Sequence, residues 1–238
     1  MAKISRHPSL QINHWSQMLV LFYGLFLNLI IVTPTLSSPN YPPRVLVPKT
    51  ATYANFAWGY SSGGKDQQNG KSVVLVDLDE TSFERNSKFK NDGHIVQCYF
   101  SVGTAEPWRP DYNKTAWKPL GLGNLPQFQD EYWLDLTKIE DIKVLMTPRF
   151  ERARQMGCDA IEPDNTDCYE NSECKNPMKK KYPDANVKQL QIDYCVWQID
   201  IAHRLGMSIS LKNSMDLVPV LSHLYDFAGR STMNIIHR

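Results

Sequence analysis

Short apolar runs recur along the chain, and several begin directly after a glycine that closes a helical or polar stretch. NDG precedes HIVQCYFSVG, QMG precedes CDAIEPDN, and RLG precedes MSISLKN. Gly93, Gly157 and Gly206 are therefore predicted left-handed residues at helix C-termini, where the absence of a Cβ removes a steric cost. Repeated helix–glycine–strand units predict an α/β fold with a parallel sheet and crossover helices. Strands are predicted at Tyr53–Trp58, Val73–Leu78, His94–Phe100, Tyr132–Leu136, Asp159–Glu162 and Met207–Leu211, with a last one near Tyr225. Leu190, Tyr194, Trp197, Ile201 and Leu205 recur in steps of three and four, which predicts one apolar helix face. Ile142, Met146, Phe150 and Ala153 repeat the pattern, with a break or kink expected at Pro148.

Ahead of these units, Lys3 and Arg6 lead into the apolar run Met18–Val32, and TPTLSS follows it. This is the layout of a signal peptide over residues 1–38, with cleavage near Ser37 or Ser38. The run is shorter than the roughly 20 residues of a spanning helix. An uncleaved signal anchor is the alternative reading; the small polar residues favour cleavage, and a secreted, extracellular protein is expected. Residues 39–50 are proline-rich and read as a linker. Of five cysteines, Cys168 and Cys174 lie in CYENSEC and are a candidate loop disulfide. Cys98, Cys158 and Cys195 fall in or beside predicted strands and helices and are expected as buried free thiols. The odd count leaves at least one cysteine without an intrachain partner. No CxxC pair or histidine spacing suggests a zinc site, so no metal is expected. Asn113-Lys114-Thr115 is an N-glycosylation sequon.

Composition narrows the function classes. The 26 Lys and Arg nearly balance the 25 Asp and Glu, which argues against nucleic acid and anionic membrane surfaces as partners. A chain of 238 residues supports one substantial core, and a monomer is expected.

Polar residues gather at one end of the predicted strands, which read VDLDE, CYFSVGTAE, WLDL, IEPDN and SLKN. In barrels and open α/β sheets alike, sites form at the C-terminal strand ends. Asp79, Glu80 and Thr81 have a second reading as helix caps. Glu162 and Asp164 are two positions apart, so on a strand they share a face at roughly 6–7 Å. Two carboxylates so placed shift each other's pKa, the condition for general acid and base work. The competing reading is a salt bridge from Lys212 or Arg109. Metal-dependent hydrolysis through Glu162, Asp164 and Asp167 is a remote alternative, with no histidine nearby in sequence.

The stretches CYFSVGTAEPWRPD (98–111), YWLDL (132–136), RFERARQMGCDAIEPDNTDCY (149–169) and LKNSMD (211–216) resemble glycoside hydrolase family 114, the endo-α-1,4-polygalactosaminidases. The resemblance runs over residues 51–228 and implies a (β/α)8 TIM-barrel-like domain that cuts α-1,4-linked galactosamine polymers without a cofactor. It implies that Asp164 is one of two catalytic carboxylates, with Glu162 and Asn165 beside it. Asp77, Tyr99, Glu106, Arg109, Asp135, Lys212 and Asn213 match cleft positions. Trp108 is read either as a sugar-stacking residue or as a core or rim tryptophan. An amine-bearing polymer is cationic, so an acidic cleft suits it. The chain departs from the family twice. Trp58 is followed by GYSSGG in place of a Gln-Leu pair. After Ala228, where the family has Asn-Glu-Gln-Cys carrying the second carboxylate and a cysteine that would pair the odd thiol, residues 229–238 read GRSTMNIIHR. A barrel truncated at the C-terminus is therefore expected, with a catalytically impaired or binding-only paralogue, or a truncated product, as the alternative function.

Overall fold

In the computed structural model, residues 40–49, 51–56, 68–128 and 130–229 are described. The signal segment, Trp58 with the loop after it, and residues 230–238 of the divergent tail lie outside them. In chain order the elements are β1 (Tyr53–Asn55), β2 (Val73–Asp77), α1 (Phe83–Asn91), β3 (Ile95–Ser101), β4 (Thr104–Ala105), α2 (Lys114–Trp117), β5 (Gly121–Asn124) and β6 (Tyr132–Leu134). They continue with α3 (Ile139–Gln155), β7 (Ala160–Asp164), α4 (Ser172–Lys181), α5 (Val187–Arg204), β8 (Ser208–Lys212), α6 (Val218–Leu221) and β9 (Phe227–Gly229). Six strands form one all-parallel sheet in the order β1-β2-β3-β7-β8-β9. Each predicted strand is present, but β6 is not in the parallel sheet. It is the middle strand of a small antiparallel sheet, β4-β6-β5.

The three predicted glycines have φ of 88°, 78° and 71°. The residue after each donates its N–H to a carbonyl five back: His94 to Phe89, Cys158 to Ala153, Met207 to Ala202. Helices α1, α3 and α5 are thus closed by one repeated device that turns the chain straight into β3, β7 and β8. Along β2, Val74 and Val76 join the main core, while Val73 packs with Val47, Ala160, Ile95 and Phe227 on the other face, and Leu75 with Tyr99. Alternation therefore separates a helix-covered face from an interior one.

Helix α3 runs unbroken through Pro148, against the expected break. Pro148 is exposed, so its ring faces solvent, and the adjacent Thr147 hydroxyl donates to the Lys143 carbonyl at 2.8 Å. In α5 the buried stripe includes Gln191 and Gln198 beside Tyr194, Cys195, Ile199 and Ala202, whereas Leu190, Trp197 and Leu205 of the predicted face are only half-buried.

The proline-rich residues read as a linker are docked on the domain from Tyr41 onward. Tyr41 Oη donates to Asp200 at 2.9 Å, Arg44 Nε meets Asp226 at 2.7 Å, and the Ser208 hydroxyl donates to the Val45 carbonyl. Asp226 also accepts from Ile209 N–H and faces His203 Nε2. Burial works against the ionised form of Asp226, but His203 and Arg44 outweigh it and hold the carboxyl below its usual range.

The expected Cys168–Cys174 bridge is present, and Cys195 is a free buried thiol whose pKa burial pushes up to about 11. The expectation of free thiols fails at Cys98 and Cys158, which form a disulfide across 60 residues. Parallel pairing of β3 with β7 sets Cys98 opposite Ile161, three residues after Cys158, a proximity only the fold creates. On the loop-entropy account a 60-residue bridge is worth about 4 kcal/mol and a six-residue one about 2. Replacing Cys98 and Cys158 by serine is expected to lower the melting temperature by roughly 10 °C, and replacing Cys168 and Cys174 by about half that, measured by circular dichroism.

Candidate active site

The parallel register sets polar residues side by side at the C-terminal strand ends. Asp77 at the end of β2 pairs with Tyr99, Tyr99 pairs with Glu162, and Ser101 at the end of β3 pairs with Asp164. Lys212 ends β8 and is buried, with its ammonium 3.0 Å from Asp164 Oδ2 and 3.7 Å from Glu162 Oε2. It also lies 4.7 Å from the centre of the Tyr99 ring, and the Tyr99 hydroxyl donates to Asp164 Oδ2 at 2.9 Å. The two predicted carboxylates therefore do share a face. The salt-bridge reading also holds, supplied by Lys212 and not by Arg109. Burial raises the Glu162 carboxyl above its usual range; Lys212 opposes the rise and Asp164 adds to it.

Arg109 anchors a second group. Its guanidinium grips Glu106 at 2.9 Å through both Nε and Nη2, and Nη1 reaches Asp77 at 2.7 Å and Asp79 at 3.2 Å. Asp79 also pairs with Arg152. Asp77 accepts from the Asp79 N–H at 2.8 Å, so Asp79 serves the ion cluster while the cap of α1 is Ser82. Burial leads the rise of the Glu106 carboxyl, against the pull of Arg109.

A third group was not anticipated. Glu131, buried in front of β6, accepts from the Thr104 hydroxyl, which contacts the Ser101 hydroxyl. Both hydroxyls receive the Asn165 side-chain amide, at 2.9 Å for Ser101 and 3.0 Å for Thr104. Burial pushes the Glu131 carboxyl up to about 7; Thr104 opposes the rise, while Glu106 and Asp164 add to it. Asp167, weighed only in the metal alternative, is pushed up to about 6 by burial, with Asp164 and Glu170 contributing.

Backbone conformation follows the same strand ends. Asn165 at φ 59°, Asn213 at 54° and Ser214 at 31° are left-handed directly after β7 and β8. The loop after β3 closes on the first of these turns: Val102 and Gly103 N–H groups donate to the Asp164 carbonyl at 3.1 and 3.3 Å.

Other predicted residues stand apart from Asp164. The Asp135 carboxylate is committed to Thr137, Lys181 and Tyr182, which hold it below its usual range although burial acts against them. This strand-end aspartate caps a 3-10 turn and ties down the end of α4, so its cleft assignment is corrected to a structural one. Trp108 is 52% exposed, on the rim and not in the core. Asn113 is exposed and caps α2 through its side-chain oxygen. A cavity of about 520 Å³ lies between Tyr169, Glu170, Lys175, Lys179, Asp184, Lys188 and Asp216, and neither Glu162 nor Asp164 lines it.

A parallel barrel-type sheet with carboxylates held by a lysine and an arginine at its C-terminal ends fits a glycosidase, and the family match shows the chain to be one. The chain belongs to glycoside-hydrolase family GH114, whose model matches residues 36–230. Among solved structures it is similar to Aspergillus fumigatus Ega3 in complex with galactosamine, at 26% identity and TM-score 0.66 over 83% of this chain and 73% of that one. The glycoside hydrolase domain of PelA from Pseudomonas aeruginosa shares the fold, at 11% identity and TM-score 0.57 over 77% and 67% of the two chains. A search by sequence among curated proteins finds no match.

The close approach of the β3–β4 loop to β7 is testable. A Cβ on Gly103 would stand 1.8 Å from the Asn165 carbonyl oxygen. Gly103→Ala is expected to cost about 3 kcal/mol in urea unfolding, because backbone and not a flexible side chain must yield.

Proposed function

We propose that this chain is a secreted endo-acting hydrolase of α-1,4-linked galactosamine polymers. The observation that carries the reading is Asp164, oriented by the Tyr99 hydroxyl and the Lys212 ammonium at a strand end, with Glu162 sharing the same lysine. In this reading Asp164 acts ionised beside the anomeric carbon, as nucleophile or base. Glu162, whose burial favours the protonated form, donates the proton to the departing sugar oxygen. Different surroundings thus divide two carboxylates into base and acid.

The likeness to a family member holding galactosamine supports the substrate class. So does the excess of carboxylates at the site, where, with Glu162 protonated, Asp77, Asp79, Glu106, Glu131, Asp164 and Asp167 still outnumber Arg109, Arg152 and Lys212, a field that draws an ammonium-bearing chain. Exposed Trp108 offers a face for a sugar ring, and Asn165 and Asn213 stand at the turns directly after β7 and β8. Secretion agrees with two disulfides and with the exposed sequon asparagine Asn113. Among the described residues no helix is long and apolar enough to cross a membrane.

Asp164→Asn keeps the shape and removes the charge. Release of reducing ends from deacetylated galactosamine oligomers is expected to fall on the order of a thousandfold, with the melting temperature near that of the parent. Unchanged turnover would overturn the assignment; oligomer binding by the parent chain with no release would replace hydrolysis by a binding role.

A further inference from the structure

The four polar groups joining Asn165 to Glu131 obey a strict count of donors and acceptors. Ser101 Oγ accepts from the Asn165 amide and from the Thr104 N–H, at 2.9 and 3.2 Å. Both of its lone pairs are then filled, so its own proton points to Thr104 Oγ1, the one hydroxyl it contacts. Thr104 Oγ1 accepts from Ser101 and from the Asn165 amide, and is likewise full. Its proton therefore goes to Glu131 Oε1, which must be an acceptor. Each lone pair and each hydroxyl proton is used once, and the chain ends on a carboxyl oxygen. A protonated Glu131 donating to Thr104 would reverse both hydroxyls. Ser101 Oγ would then be offered three protons while its own hydroxyl lost its acceptor.

We propose that Glu131 is a positioning residue whose Oε1 terminates the Thr104–Ser101 hydroxyl chain as acceptor and so fixes the Asn165 side-chain amide beside Asp164. The inference rests on the reading of Asp164 as a catalytic residue. Asn165 is the residue that turns the chain away from β7 in a left-handed conformation, and Asp164 precedes it directly. Holding the Asn165 amide therefore holds the peptide that carries Asp164. Glu131 touches this machinery only through Thr104 and Ser101.

The count fixes Glu131 Oε1 as an acceptor and not the charge of the carboxyl, because a proton on Oε2 leaves Oε1 free to accept. Glu106, on the loop after β4, and Asp164, at the end of β7, disfavour the charge of Glu131 and Arg109 favours it; the hydroxyl chain holds in either state.

The test follows the ¹⁵N-labelled side-chain amide of Asn165 by NMR at one pH, together with kcat and KM on galactosamine oligomers. Glu131→Ala removes the terminal acceptor and is expected to shift the amide resonance and lower kcat on the order of tenfold with little change in KM. Glu131→Gln keeps an oxygen acceptor and should hold both near the parent values. Thr104→Val should shift the amide resonance and lower kcat more than it changes KM, and Thr104→Ser should restore both. An unmoved amide resonance in Glu131→Ala overturns the proposal. So does an unmoved resonance in Thr104→Val, which decides the matter should Glu131→Ala fail to fold. Amide shifts that behave as expected in a chain with no turnover would leave the hydroxyl chain standing and remove the hydrolytic reading instead.

Discussion

The ammonium of Lys212 sits where three parallel strands end together. It reaches Asp164 and Glu162 on β7, lies over the Tyr99 ring of β3, and is itself carried by β8. A buried cation in such a place is costly alone, and so are two carboxylates two residues apart; each makes the other tolerable. Tyr99 completes the arrangement by donating to the oxygen of Asp164 that Lys212 also contacts. Without the register that aligns Tyr99 with Glu162 and Ser101 with Asp164, none of these groups would meet. The site is thus a consequence of strand pairing and not of loop conformation alone.

Two further networks flank this centre and share its logic. Around Arg109, three carboxylates from the end of β2 and the loop after β4 are held by one guanidinium, so the loop bearing Trp108 is tied to the sheet. Around Asn165, hydroxyls from β3 and β4 tie the turn after β7 to the antiparallel sheet. The networks sense one another electrostatically: Glu131 responds to Glu106 of the one and Asp164 of the centre. Three groups of side chains, each internally neutralised to a different degree, divide a single acidic rim into parts of unlike proton affinity.

Much of this was readable from the residues. Strands β3, β7 and β8 were readable because a local signal, a glycine helix stop followed by an apolar run, acts within a few positions. The Glu162–Asp164 pair was visible because a period of two needs no tertiary information. Pairings between distant segments were not. The Cys98–Cys158 bridge depends on β3 lying beside β7, and Asp135 looked like its neighbouring strand ends until α4 supplied Lys181 and Tyr182. Glu131 carried no local mark, since a carboxylate before a short strand reads as solvated; its burial and its partner, the Thr104 hydroxyl of β4, come from a segment 27 residues away. Gln191 and Gln198 hid the true face of α5, because polar residues at core positions blur a helical period. Residues 40–49 read as a spacer, since prolines mask a docked segment as readily as a free one.

That docked segment has a consequence for how the domain is made. Tyr41, Val45 and Arg44 bond to partners 159, 163 and 182 residues away, and Val47 seals the interior face against Phe227 of the last strand. Tyr41, Arg44 and Val45 therefore wait for segments 159 to 182 residues further along before they can settle. Contacts of such high order repay their loop-closure entropy only at the end of folding. Until then Val73 and Ala160 lack the cover of Val47 and Phe227, and that apolar surface is open to water and to neighbouring chains.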